Sequence, residues 1–181
     1  MSEYLDVIDE NGNPTGQTVA REVAHREGIR HRTSHLWLLR KKNGVLQILL
    51  QKRAEDKPSF PGCYDISSAG HIPAGGEFET SAIRELREEL GITADVEDLI
   101  FCGDRPVVWD CVFQGKPFHD RQISRVFMMW CDLNEDQFTV DPVEVNSVRW
   151  MDFEQCIKGV EENTFLNCIS LEELQMVKNR I

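Results

Sequence analysis

Gly70-His71-Ile72-Pro73-Ala74-Gly75-Gly76-Glu77, followed at a short distance by Arg84-Glu85-Leu86-Arg87-Glu88-Glu89-Leu90-Gly91-Ile92, reads as a glycine-rich loop running into an amphipathic helix. At about 100° per residue, Ala82, Ile83, Leu86 and Leu90 fall on one apolar stripe that a core can take. Glu85, Glu88 and Glu89 occupy a separate arc, roughly a third of a turn away. Residues three and four apart are neighbours on a helix, and like charges at that spacing destabilise it. Three carboxylates crowded in this way suit a bound cation. Taken alone, such a face is as readily solvated surface, with Glu85 paired to Arg84 or Arg87. The glycines argue for more. Gly70, Gly75 and Gly76 permit close backbone approach, and Gly91 stands where a helix ends in a left-handed residue.

A hard cation such as Mg²⁺ takes oxygen ligands and is commonly shared between carboxylates and substrate phosphates. The segment resembles the Nudix box, Gly-x5-Glu-x7-Arg-Glu-U-x-Glu-Glu-x-Gly-U, with U aliphatic. Gly70, Arg84, Glu85, Leu86, Glu88, Glu89, Gly91 and Ile92 are all in register. One position departs: the first glutamate of the pattern falls on Gly76, with an acid next door at Glu77. The resemblance implies a Nudix-type α/β/α sandwich with a mixed β-sheet. It implies Glu85, Glu88 and Glu89 as metal ligands, together with the Gly70 carbonyl, for Mg²⁺ or Mn²⁺. It also implies that Arg84 braces the loop and that Glu88 or Glu89 orients or deprotonates a water, with Asp120 as an alternative base. Glu77 either replaces the missing acid or, at the helix N-cap, faces the helix dipole.

The 181 residues suit one domain over 1–181, with an N-terminal hairpin extension over 1–30 and the loop–helix over 70–92. A net charge of -11 argues against a nucleic-acid polymer or an anionic membrane as partner. It leaves a small-molecule diphosphate open, because a bound metal and local Arg or Lys invert the field. No apolar stretch approaches a membrane span, and the N-terminus lacks a basic-then-apolar signal. Six scattered cysteines without a C-x-x-C pair read as reduced thiols of a cytoplasmic protein. A homodimer is expected because the N-terminal hairpin has edges to cover.

The pattern predicts strands over 4–9 and 17–21, a short helix over 23–27 ended by Gly28, and strands over 31–40 and 45–52 around Asn43-Gly44. Beyond the rigid loop Pro58–Gly62 it predicts strands over 64–67, 94–102, 107–113, 122–131 and 143–151. Gly115-Lys116-Pro117 reads as a turn. Helices follow over 152–158, capped by Asp152, and over 170–180, where Ser170-x-x-Glu173 has the form of a capping box. Arg53 and Lys52, at a strand end, are candidates for holding the diphosphate. Trp37 and Trp150 read as packing before base stacking. Selectivity is expected in loops such as Trp109 to Arg121.

A second resemblance, carried by residues 6–16, Gly28-Ile29-Arg30-His31-Arg32, Gln51-Lys52-Arg53 and Phe60–Tyr64, is to the isopentenyl-diphosphate isomerase branch of the superfamily. Those isomerases use a catalytic cysteine just before the Gly-His of the box, where this chain has Ala69, and a glutamate that matches Gln122. Alanine transfers no proton and a neutral amide is no general base. The resemblance therefore favours hydrolysis over isomerisation, with a non-catalytic nucleotide-binding module as a third class. In the isomerases, histidines and acids also build a metal site. His31, His71 and Asp120 match parts of it, and His25 is one residue out of spacing. The alternative is that His31 and His35 are hydrogen-bonded strand residues and His71 shapes the loop.

Overall fold

Leu36 to Leu39 are all buried, with neither face of their strand left to solvent, as a strand sandwiched between two layers requires. They lie in β3 (His31–Lys42), the middle of a seven-stranded sheet in a computed structural model that describes residues 3–57, 59–113 and 115–181. Met1, Ser2 and Pro58, named or quoted in the sequence reading, lie outside the described residues. The elements before β3 are β1 (Tyr4–Ile8), β2 (Pro14–Ala20) and α1 (Arg21–Glu27). After it come β4 (Val45–Arg53), β5 (Tyr64–Asp65), β6 (Ser68–His71) and α2 (Phe78–Leu90). The chain continues through β7 (Ile100–Phe113), β8 (Lys116–Trp130), β9 (Val145–Asp152), α3 (Phe153–Glu161) and α4 (Leu171–Lys178).

Strand order is β5-β4-β3-β8-β7, with β6 added to β3 and β9 to β4. β3 and β8 run parallel while the other pairs of this sheet are antiparallel, so it is mixed, as expected. On one face, Leu36, Leu38, Leu49 and Phe127 meet Ala82, Leu86 and Leu90 of α2. On the other, Trp37, Leu39, Leu50 and Met128 meet Phe153 and Ile157 of α3 and Leu174 and Val177 of α4. This is the α/β/α sandwich, and Trp37 and Trp150 are buried in its two cores.

The fork between β3 and β4 positions the site. Asn43 and Gly44 take the two positive φ values, 52° and 79°, that a tight two-residue hairpin needs. The strands pair only across Leu39–Lys42 and Val45–Ile48 and then separate. β6 takes the freed edge of β3 at Thr33–Leu36, and β5 pairs with Gln51 and Lys52. Ser67, fully buried, closes the fork by donating to Leu49 O (2.7 Å) and accepting from Leu38 N (2.8 Å).

Several expectations are corrected. The strand over 64–67 ends at Asp65, and Ser68–His71 forms its own strand that includes the first glycine of the box. The strands over 94–102 and 107–113 are one, Ile100–Phe113, preceded by a 3-10 turn at Val96–Asp98 and bulged between Phe101 and Gly103. Pro106 marked a break in the sequence, but β7 is an edge strand, where a missing N–H is tolerated. Trp109 to Arg121 is a β-hairpin, not an open loop, and Lys116 and Pro117 already belong to its second strand. Ser170 makes no side-chain cap to α4, because Glu173 points into the molecule. The β1 edge of the N-terminal hairpin is covered by its own chain: Ala74 N donates to Tyr4 O (2.8 Å) and Leu5 bridges Pro73. A second copy would therefore have the outer edge of β2, and not that of β1, to cover.

Candidate active site

An open cleft of about 1560 Å³ runs along the sheet face that carries α4, past the end of β6 to the carboxylates of α2. Register defines its floor. Ala69 pairs with His35 and His35 with Val126. One row on, His71 pairs with Thr33, Thr33 with Ser124 and Ser124 with Arg105. The next row is His31, Gln122 and Val107, and Asp120 with Trp109 follows. Side chains at alternate strand positions share a face, so these residues line one surface.

The acids of α2 reach this surface from behind β6. The three glutamates sit on one side of a helix whose buried stripe is Phe78, Ala82, Leu86 and Leu90. Glu85 lies directly on the α-carbon of Gly70, where any Cβ would coincide with its carboxylate. Only glycine fits there, which gives the first residue of the box a steric reason. Glu89 is buried and accepts from Ala69 N (3.2 Å). Arg84 binds the set together: it donates to Glu85 Oε1 (2.7 Å), to Glu88 Oε2 (2.8 Å) and to His71 O (3.2 Å). It thus ties both acids to the loop.

Burial pushes the Glu85 carboxyl up to about 7, against the pull of Arg84 and with Glu88 adding to the rise. Burial likewise raises Glu89 to about 8, assisted by Glu85 and opposed by the hydrogen bond from Ala69 N. Two desolvated acids within range of each other, beside an exposed third at Glu88, are a donor set that a hard divalent cation stabilises. The residues present therefore fit Mg²⁺ or Mn²⁺ with Glu85, Glu88 and Glu89 as ligands. The Gly70 carbonyl lies in the same strand end.

The departure at Gly76 has a structural counterpart. A Cβ at residue 76 would come within 2.9 Å of Pro73 O, so the loop leaves no room for a glutamate. The carboxylate is supplied by Asp6 of β1, which accepts from Gly75 N (2.9 Å) and from Arg32 Nη2 (2.9 Å). Arg32 also donates to Gly76 O (2.9 Å). Glu77 is the N-cap of α2 and makes no side-chain cap bond. Nothing in the sequence pointed to Asp6, since its partners lie 26 and 69 positions away.

The two basic candidates separate. Arg53 lines the cleft but is engaged by Asp65 Oδ2 (3.0 Å), Ser59 O (3.1 Å) and Ser59 Oγ (3.1 Å). Lys52, adjacent on β4, faces the other way and pairs with Glu55 (2.9 Å), so it does not line the cleft.

Three histidines converge a short way along the cleft. The ligand atoms of His25, His31 and His71 lie within 4.8 Å of one another, so helix α1 brings in the histidine that the sequence spacing left out. His71 Nε2 is 3.3 Å from His25 Nε2. Asp120 Oδ1 stands 3.9 Å from His25 Nε2 and 3.7 Å from His31 Nε2. His31 Nδ1 is engaged by Ile29 O (2.9 Å), while His31 Nε2 and Asp120 Oδ1 are buried without a hydrogen-bond partner among the described residues. Burial lowers His25 to about 4 and holds His31 and His71 below the usual imidazole range. Burial raises Asp120 to about 6.

A family model described as the NUDIX domain matches residues 29–165. Nudix hydrolase 3 of Arabidopsis thaliana is 36% identical over 157 residues, which cover 84% of this chain and 20% of that protein. An uncharacterised Nudix hydrolase of Clostridium acetobutylicum is 33% identical over 143 residues, covering 79% of this chain and 66% of that protein. The chain therefore spans about a fifth of the first relative and just under two thirds of the second. DR0079 from Deinococcus radiodurans shares the fold at a TM-score of 0.67 and 18% identity, covering 98% of this chain and 99% of that one.

Proposed function

The chain belongs to the Nudix family, and from that premise we propose that it hydrolyses a phosphoanhydride in a small-molecule diphosphate linked to another moiety. The observation that carries this reading is the seating of Glu85 and Glu89 on the backbone of Gly70 and Ala69 at the mouth of the cleft, with Glu88 held beside them by Arg84. Mg²⁺ held there, with Mn²⁺ as the alternative, would polarise a phosphoryl oxygen and lower the pKa of a bound water. Arg84 keeps the acids at that spot by tying Glu85 and Glu88 to the loop carbonyl of His71. Glu88, the most exposed of the three, is placed to orient the attacking water, and Asp120 is the alternative base. Arg53 contributes positive potential to the cleft wall, discounted by its Asp65 partner.

Glu88→Gln should lower Mg²⁺-dependent phosphate release by orders of magnitude across a diphosphate panel, with products identified by mass and the circular dichroism unchanged. Wild-type turnover by this variant would sink the ligand assignment. An isomerase is disfavoured by the methyl of Ala69 beside His35 and by the neutral Gln122 beside His31; conversion of isopentenyl diphosphate without phosphate release would restore it. Tight binding of one nucleotide with no turnover would favour a binding module. No helix of the described residues is long and apolar enough to cross a membrane. A cytoplasmic setting is supported by cysteines that are all free.

A second metal reading is favoured by one observation, the pair of unpartnered buried atoms His31 Nε2 and Asp120 Oδ1 beside two further imidazoles. A tetrahedral site with Zn–N of about 2.0–2.1 Å has ligands about 3.4 Å apart; three of the pairs here are 3.3–3.9 Å apart, and the three imidazole ligand atoms lie within 4.8 Å of one another. His25, His31, His71 and Asp120 would hold a transition metal such as Zn²⁺ or Mn²⁺. One equivalent of Zn²⁺ should titrate onto the chain, survive Glu88→Gln and be lost in His31→Gln. Equal Zn²⁺ uptake by wild type and His31→Gln rules this site out.

A further inference from the structure

Glu173 is among the most deeply buried acids of the molecule, with 1% of its surface exposed. It stands in the first turn of α4, where a capping role was expected, yet its carboxylate is turned onto the sheet. Its Oε1 accepts from His35 Nδ1 (2.9 Å) and from Arg105 Nη1 (3.1 Å), and its Oε2 accepts from Trp37 Nε1 (3.3 Å). Burying a carboxylate costs several kcal/mol unless it is paired and hydrogen-bonded. Here it is, from α4, β3 and β7 together.

The consequence falls on His35. Its Nδ1 is committed to Glu173, so the ring is fixed in orientation. Its Nε2 has no hydrogen-bond partner among the described residues, and the side chain lines the cleft at 14% exposure. Burial alone would strip the proton from this ring, but Glu173 outweighs it and, with Asp65 assisting and Arg105 opposing, holds His35 above the usual imidazole range. Two cationic groups, His35 and Arg105, then share one buried carboxylate, and Arg105 is further tied to the exposed Glu172 (2.7 Å). Glu172 and Glu173 balance the two cations, and what the wall offers the cleft is N–H donors, His35 Nε2 and the Arg105 guanidinium. It also lies close to the acids: His35 is the cross-strand partner of Ala69, whose N–H Glu89 accepts.

We propose that His35 binds the substrate, donating from Nε2 to a phosphoryl oxygen of the diphosphate on the side away from the glutamates, with Glu173 and Arg105 as its positioning residues. A diphosphate would then lie between an acidic wall that carries the cation and a wall that offers it N–H donors. Carboxylate-held imidazoles are a recurrent way of fixing which ring nitrogen faces a ligand. This inference rests on the reading of the cleft as a diphosphate site.

His35→Asn tests it, because an asparagine amide reaches the Nδ1 position and keeps a donor to Glu173 while removing Nε2. The probe is methylene diphosphonate with Mg²⁺, followed by titration calorimetry, alongside kinetics on the fastest compound of the diphosphate panel. The expected result is about tenfold weaker probe binding and a KM raised by about the same factor, with kcat changed less, the scale of one hydrogen bond to a charged group. A purely structural role would move the melting temperature and leave affinity and KM at wild-type values, and that outcome overturns the proposal. In the wild-type chain the ¹⁵N resonance of His35 Nε2 should shift on adding the probe; no shift also overturns it, whether or not the variant folds. If no panel compound is hydrolysed but His35→Asn still weakens the probe, the hydrolase reading fails and this one stands. If Glu88→Gln abolishes turnover while His35→Asn matches wild type, the reverse holds.

Discussion

Asp6 supplies the carboxylate of the box loop from outside the box. Position 76 has no space for a side chain, and the acid arrives instead from β1, bonded to Gly75 N and to the buried Arg32. Arg32 is 7% exposed and stacks over Phe78 at 5.2 Å, so it has little water to fall back on. Asp6→Ala should cost about 3 kcal/mol, the scale expected when one partner of a buried pair is removed, and should speed hydrogen exchange at the Gly75 amide. Urea unfolding and exchange rates indistinguishable from wild type would show that the tie is incidental. At this scale the shared face of Glu85, Glu88 and Glu89 was legible from their spacing on one helix, with Arg84 beside them. Lys52, next to Arg53 in the chain, pairs with Glu55 away from the cleft, which adjacency in sequence does not reveal. Asp6 carried no local signal, and the one at Glu173, a capping box, pointed elsewhere, since the partners of both are distant in the chain.

The elements that were read well have their reasons written locally. α2 has an apolar stripe of correct period and a left-handed Gly91 at its end, φ 70°. α1 stops at Gly28 with φ 67°, and α3 is capped by Asp152, which accepts from Gln155 N (3.0 Å). The β3–β4 hairpin follows from Asn43-Gly44. The elements that were misread are those whose state depends on neighbours. Pro106 breaks a strand that needs its N–H, but at the edge of the sheet none is needed, so Ile100–Phe113 runs on. Glu173 satisfies the pattern of a capping box, but His35, Trp37 and Arg105 together offer its carboxylate more than one backbone N–H could. The N-terminal hairpin lies outside the matched family segment, which begins at residue 29, and still closes the box loop through Leu5, Tyr4 and Asp6.

Across the whole molecule, the buried ion pair between α4 and the sheet makes stability depend on pH in both directions. Glu173 is held below its ordinary 4.5: burial alone would raise it, but His35 and Arg105 outweigh that. Its contribution is present above about pH 4.5 and lost as pH falls through the lower folded value. His35 is held above its ordinary 6.5, so its contribution is present below that pH and lost as pH rises through the higher folded value. Both therefore act together between about 4.5 and 6.5. The gap in melting temperature between wild type and Glu173→Gln should be widest in that window and narrow on either side. A gap constant from pH 4 to 9 would contradict the assignment. Comparing the two chains at each pH cancels the drift from Glu85, Glu89 and Asp120, which the variant retains. The order of residues by itself determined the glycine loop, the acidic helix and the sandwich they belong to, because helix period, turn chemistry and strand alternation are all written within a few residues of one another. Only the tertiary structure decided that Asp6 braces the loop, that His25 joins His31 and His71, and that Glu173 turns His35 toward the cleft. Those contacts join residues up to 138 positions apart, and what brings them together is the burial of two apolar faces of one sheet, a property of the packed whole that no local stretch records.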